Sequence, residues 1–122
     1  MISVGTRLKS IDNSGAKSVE CLKILGGKGH KDGFVGDIVI VSVKTVNPLK
    51  KIKKGEVYRG VIVSVKKGKT RFNGDLIRFF CNGVVIVNNK NVPLGTRILG
   101  PVMLELRRKG YMKILSMATV AI

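Results

Sequence analysis

At 122 residues, 44% of them hydrophobic, the chain is long enough for one real core and too rich in aliphatics to be disordered. Twenty-three Lys and Arg against seven acids give a net charge of +16 and a pI near 10.4. Such self-repulsion is tolerated most easily beside a polyanion, which makes nucleic acid the leading partner. An anionic membrane comes second, because no basic amphipathic helix and no apolar run of transmembrane length is found.

The N-terminus, MISVGTRLKSIDNSG, has neither the apolar core of a signal peptide nor the long Arg/Ser-rich character of a transit peptide. The expectation is a protein that works where it is made, or one whose targeting segment has been removed. Residues 6–11 read as a weak strand stopped by Asp12-Asn13-Ser14-Gly15, a cluster with strong turn chemistry. Residues 17–25 read as a second strand. Residues 26–36 hold five glycines in eleven positions, so they form a loop whose backbone can approach another surface closely. Residues 38–46, β-branched at nearly every position, give the clearest strand, expected to be buried on both sides and ended by Pro48.

The stretch 44–78 carries eleven Lys or Arg against two acids, Glu56 and Asp75. Residues 50–55 form a basic turn into a strand over 57–65, where Val57, Val61, Val63 and Val65 share one parity and so one buried face. Asn73-Gly74 is the dipeptide of two-residue type I′ hairpins, flanked here by strand-like tetrads. A β-ribbon carrying Lys69, Arg71 and Arg78 is expected to project from the sheet. Residues 84–88 form a further strand and 88–100 an irregular crossover. Pro101 suits the first position of a helix over 102–109, with Arg107, Arg108 and Lys109 in its last turn and Gly110 as its stop. Residues 112–117 form a last short turn of helix. Short strands in series with a small helical tail indicate one domain, a closed or nearly closed small β-barrel.

Catalysis is hard to build from this inventory. His30, the single histidine, sits in the glycine-rich loop and reads as an exposed or RNA-contacting side chain rather than a base. The carboxylates are scattered, with no pair placed for acid/base work or metal binding. Gly68-Lys69-Thr70 imitates the end of a phosphate-binding P-loop, but Val63 stands where the motif needs its first glycine. Cys21 and Cys81 match no metal-ligand spacing and read as reduced, buried thiols on strand-like runs. No cofactor is implied. The signal lies in four basic segments, near Lys28 and Lys31, at 50–54, at 66–71 and at 107–109. Contacts of this kind grip phosphate with little base specificity. With six aromatics and no tryptophan, recognition of a folded RNA by shape and backbone suits the chain better than a stacking platform.

These residues resemble the universal large-subunit ribosomal protein L-fourteen family over essentially the whole length. The core pattern is Gly60-Val61-Ile62-Val63, then Asn73-Gly74, Phe79, Asn82 and Val85-Ile86. It is joined by Asp12-Asn13-Ser14-Gly15-Ala16, Leu25-Gly26-Gly27, Val35-Gly36-Asp37, Gly95-Thr96-Arg97-Ile98, Gly100-Pro101-Val102, Glu105-Leu106-Arg107 and Met112-Lys113-Ile114. The resemblance implies a five-stranded barrel with a projecting ribbon and short C-terminal helices. It also implies a non-enzymatic protein that binds large-subunit ribosomal RNA where the subunits meet. Implied partners are ribosomal protein L-nineteen, small-subunit RNA through a bridge and, in bacteria and organelles, the ribosome silencing factor. On this reading the RNA-contacting set is Asn13, Lys17, Lys28, His30, Lys31, Lys50, Lys51, Lys53, Lys54, Lys66, Lys67, Lys69, Arg71, Arg78, Arg97, Arg107 and Arg108.

Two departures stand out. The tail 116–122 lacks the Pro-Glu that many bacterial members carry, and Arg71-Phe72-Asn73-Gly74 replaces a more usual Pro-Asp-Gly. Scarce acids with abundant Lys, Asn and Ile suit an AT-rich organelle genome, which points first to a mitochondrion, with a plastid or an AT-rich bacterium as other settings. Two rival functions are a free-standing barrel that stacks single strands on Phe34, Phe72 and Phe79, and a nuclease built on His30 and Asp32.

Overall fold

The computed structural model describes residues 2–25, 33–50, 52–66, 74, 76–77, 79, 81–118 and 120–122, together with the backbone of 69–70. Its centre is a closed barrel of five strands: β1 (Arg7–Ser10), β2 (Ala16–Leu25), β3 (Ile38–Val46), β4 (Val57–Ser64) and β7 (Gly83–Val87). Two short strands, β5 (Lys69–Thr70) and β6 (Leu76–Ile77), pair with each other in a separate ribbon between β4 and β7. Neighbours around the barrel run antiparallel except at one seam, where β1 lies parallel to β7 with Lys9 opposite Gly83 and Ser10 opposite Val84. Register shifts in β2 and between Ile62 and Ser64 of β4 supply the extra bend that closing so small a sheet requires.

The interior is built from β-branched residues, whose stiff χ1 suits a pleated wall: Val19, Val39, Val41, Val43, Val61, Ile62, Val84 and Ile86 are all fully buried. In β1, exposed Arg7 and Lys9 alternate with buried Leu8 and Ser10, so one face meets the core and the other meets solvent. β3 alternates likewise. Its Val39, Val41 and Val43 are buried and most of its other residues half-buried, so the expected burial on both sides is not what forms.

β4 departs in the opposite sense. Val61, Val63 and Val65 are buried as expected, but Val57 is 57% exposed, and the opposite parity (Gly60, Ile62, Ser64) is buried too. That second face is the barrel's inner one, where Gly60 lies opposite Val39 and Ile86, and Ile62 opposite Val84. Met103 donates its N–H to the Val63 carbonyl, and Val102, Met103, Leu106 and Ile114 join the core.

The same packing decides the C-terminal segment. In place of a helix from 102, Val102 and Met103 are extended and fully buried, and a 3-10 turn spans Leu104–Arg107. Pro101, the basic run and Gly110 (φ 86) all favour a helix locally, yet Val102 donates to Val120 and accepts from Ile122, while Leu104 donates to Ile122. Pairing with the tail fixes these backbone groups, so tertiary contact overrides local preference. The closing helix α1 (Met112–Met117) forms over the expected residues.

In the ribbon, Lys69 faces Ile77 and Thr70 faces Leu76, so five residues separate the paired ends. The expected two-residue turn at Asn73-Gly74 lies, apart from Gly74, outside the described residues. Gly74 does take the positive φ expected of it, at 87°. Cys21 is buried on β2 as expected, but Cys81 is only half-buried and lies in a bend outside any strand; both thiols are free.

Gly60 gives a direct test of wall packing. A Cβ there would come 2.6 Å from Cγ2 of fully buried Val84. Gly60→Ala is therefore expected to destabilise the fold by about 1–3 kcal/mol through overpacking. Urea titration checks this, with Leu49→Ala, at a side chain 91% exposed, expected to stay within about 0.5 kcal/mol of the parent.

Candidate nucleic-acid interface

The cations cannot be understood apart from the turn between β1 and β2. Asp12 is a carboxylate only 4% exposed. Its Oδ1 accepts the hydroxyls of Ser10 and Ser14, each at 2.7 Å, and the Ser14 N–H at 3.4 Å; its Oδ2 accepts the Ile86 N–H at 3.0 Å. A buried charge with that many donors is tied down rather than reactive. Asn13 next to it clasps the 95–97 segment. Its Oδ1 accepts the N–H groups of Thr96 at 2.8 Å and Arg97 at 3.0 Å, and its Nδ2 donates to Thr96 Oγ1 at 2.9 Å. Gly95 is needed there, since a Cβ would sit 2.6 Å from Asn13 Oδ1. Asn13 entered as an expected RNA contact; in the fold its polar atoms are occupied in positioning Arg97.

Around this clasp, at one end of the barrel, stand Lys17 at the start of β2, Lys50, Lys53 and Lys54 in the β3–β4 turn, and Arg97, all exposed. Buried Ile52 pins the β3–β4 turn, and the stem of Lys50 lies across Gly15 of the β1–β2 turn. Adjacent antiparallel strands put these two turns at the same end. Lys66, just past β4, and the run Arg107, Arg108 and Lys109 belong to the other end. There the stem of Lys109 crosses Gly36, ahead of β3. The eight residues of β4 hold the two groups about 25 Å apart. The single basic stretch 44–78 is thus divided between two poles. Lys28, His30, Lys31, Lys51, Lys67, Arg71 and Arg78 lie outside the described residues, and Lys69 is described by its backbone in β5.

The acids have their own work. Glu20 pairs with Lys44 at 3.5 Å, Asp37 accepts the Phe34 N–H at 2.8 Å, and Glu56 accepts the Tyr58 hydroxyl. Hence Lys17, Lys50, Lys53, Lys54, Lys66 and Arg97 have no carboxylate partner among the described residues. The hydrogen bond to Glu56, then burial, then the Glu56 charge push the Tyr58 phenol up to about 12. Burial chiefly, with the Asp37 charge behind it, raises Tyr111 as well. Among the described residues no three His, Cys, Asp or Glu side chains could together hold a metal. Exposed Arg7 and Lys9 on β1 also present charge to solvent; the alternation of Arg7-Leu8-Lys9-Ser10 is the pattern that reveals them.

Fold and charge together define a small, strongly cationic β-barrel. The family model for ribosomal protein L14p/L23e matches residues 1–122, and the chain belongs to that family. It is accordingly a structural protein of the large ribosomal subunit, from a family that is structural rather than enzymatic.

Removing the clasp should loosen one pole selectively. Asn13→Ala is expected to cost about 0.5–1.5 kcal/mol, the net worth of a hydrogen bond, because the Thr96 and Arg97 amides it releases are exposed to water. Amide exchange at those two positions should accelerate ahead of β3 and β4. The Tyr58 phenol, raised above its ordinary 10, favours the fold fully below about pH 10, and that contribution is lost as pH rises toward 12. Glu56→Gln should bring the phenolate absorbance of Tyr58 back toward pH 10.

Proposed function

We propose that this chain binds large-subunit ribosomal RNA through its two basic poles, and that at the subunit interface it contributes to a bridge with small-subunit RNA. The observation that carries this reading is the division of exposed cations between the two ends of the barrel, which the eight residues of β4 hold about 25 Å apart. Charges so placed meet two separate runs of phosphate more readily than one. The pole of Lys17, Lys50, Lys53, Lys54 and Arg97 grips one run, and that of Lys66 and Arg107 to Lys109, extended by the ribbon, grips the other.

The family resemblance supports ribosomal protein L-nineteen as a neighbour and the silencing factor as a further partner. The 122 residues act as one barrel domain. The Lys-, Asn- and Ile-rich composition favours a ribosome of the mitochondrial matrix, with plastid or bacterial cytoplasm as the alternatives. Of the rings that single-strand stacking requires, Phe34 is 51% exposed, Phe79 is packed partly against the core and Phe72 lies outside the described residues. That leaves one openly exposed ring among the described residues, which favours folded RNA.

The test is binding of the purified full chain to structured large-subunit RNA across a salt series. Lys53→Ala and Lys54→Ala are each expected to lower affinity modestly and to reduce the slope of log K against log salt by about one. Equal or tighter binding to unstructured oligonucleotides would favour the single-strand rival. The native protein should sediment with the large subunit, and the composition of that particle identifies the compartment.

A further inference from the structure

A cavity of about 310 Å³ opens where β1, the end of β4, the root of the ribbon and the crossover segment meet. Its apolar walls come from Ile11, Phe79, Leu99 and Pro101, and Lys9 is the charged residue among the described lining. The two hydroxyls that border it are already engaged: Ser10 donates to Asp12, and Ser64 donates to the Cys81 carbonyl while accepting the Gly83 N–H. The cavity therefore offers an occupant a hydrophobic slot, the surface of an aromatic ring and one cation. At the small end of the range of ligand pockets, roughly 300–1,000 Å³, it suits one ring system rather than an extended chain. Leu99, 69% exposed, is an apolar side chain left at this opening.

We propose that this cavity accepts a single unstacked nucleotide of the ribosomal RNA, its base against Phe79 and Leu99 and its phosphate toward Lys9. Charge complementarity selects this occupant over an apolar protein side chain. The slot has a cation and no acid among its described lining residues, exposed Lys66 follows β4 directly beside it, and the whole chain carries +16. A flat heterocycle joined to an anion uses both features, whereas a leucine or phenylalanine from a neighbour leaves Lys9 unanswered. Base-on-ring contact is also how proteins take hold of RNA outside its helices. The slot adds to phosphate gripping a point that fixes register along the RNA. The inference rests on the RNA-binding reading given above.

Short-wavelength ultraviolet irradiation of intact large subunits tests it, because bases in contact with aromatic rings or thiols form zero-length adducts. Tryptic peptide 79–90, which contains Phe79 and Cys81, is expected to carry the mass of a single nucleotide. Leu99→Glu, at an exposed side chain, should lower that yield about tenfold while leaving adducts at the basic poles unchanged. Adducts at the poles with none in 79–90 overturn the slot and leave RNA binding standing. Absence of adducts along the entire chain overturns both. A chemical cross-link from Lys9 to a neighbouring protein, with no nucleotide on 79–90, assigns the cavity to a protein side chain and likewise overturns the proposal.

Discussion

A closed sheet of five strands cannot alternate direction all the way round, since an odd number leaves one pair of neighbours pointing the same way. In this barrel the unavoidable parallel seam falls between β1 and β7 and is only two register pairs long. Parallel pairing is somewhat weaker per residue, and so short a ladder leaves backbone donors beyond its end. The Asp12 carboxylate stands there. It takes the Ile86 N–H on one oxygen and gathers Ser10 and Ser14 on the other, so a side chain finishes what the strands cannot. The charge costs desolvation, but four donors at one buried carboxylate offset it in a way a neutral side chain would not.

The seam also explains where the cations come to rest. Once Asp12 fixes the β1–β2 turn, Asn13 is aimed at 95–97, and Arg97 is carried to the end where Lys50 already lies across Gly15. Positive charges crowded onto one end repel one another, and an unsupported loop would swing them apart. Here they are held from below by Ile52 and by backbone hydrogen bonds such as Gly55 to Val43. The ordering entropy is lost during folding, so these side chains would lose less on meeting any anion. A core of valine and isoleucine, stiff at χ1, is a suitable mount for such charges.

The strands were legible because their cause is local. β3 and α1 occupy the residues expected from the sequence, and β1, β2 and β7 differ by a residue or two, since a β-branched run bounded by Gly, Asn or Pro has few alternatives. The failures share a different cause. The helix signals at 101–110 are sound as local chemistry, but Val102 and Leu104 answer to a tail some eighteen residues further on. Nothing within a window around Val102 carries that information. Likewise the parity of Val57 matches that of Val61 and Val63, yet Val57 is exposed where they are buried, a difference that alternation along the strand does not carry. At the interface the sequence revealed that the charge is excessive and which residues bear it. The sorting of that charge into two poles follows from strand direction, which composition does not encode. The clasp that Asn13 makes on 95–97 was not legible, because an amide in a turn looks the same whether it faces another molecule or its own backbone.

The division into poles has a physical consequence for how such a protein exists. With Asp12, Glu20, Asp37 and Glu56 all bound internally, the described surface has little negative charge to spare, and folding the isolated chain concentrates like charges that the extended chain keeps apart. In the isolated chain the apolar wall must outweigh that repulsion unaided. A well-packed core is therefore a requirement of the charge and not merely its platform. Weakening Gly60–Val84 packing and loosening the Asn13 clasp attack the same balance from its two sides.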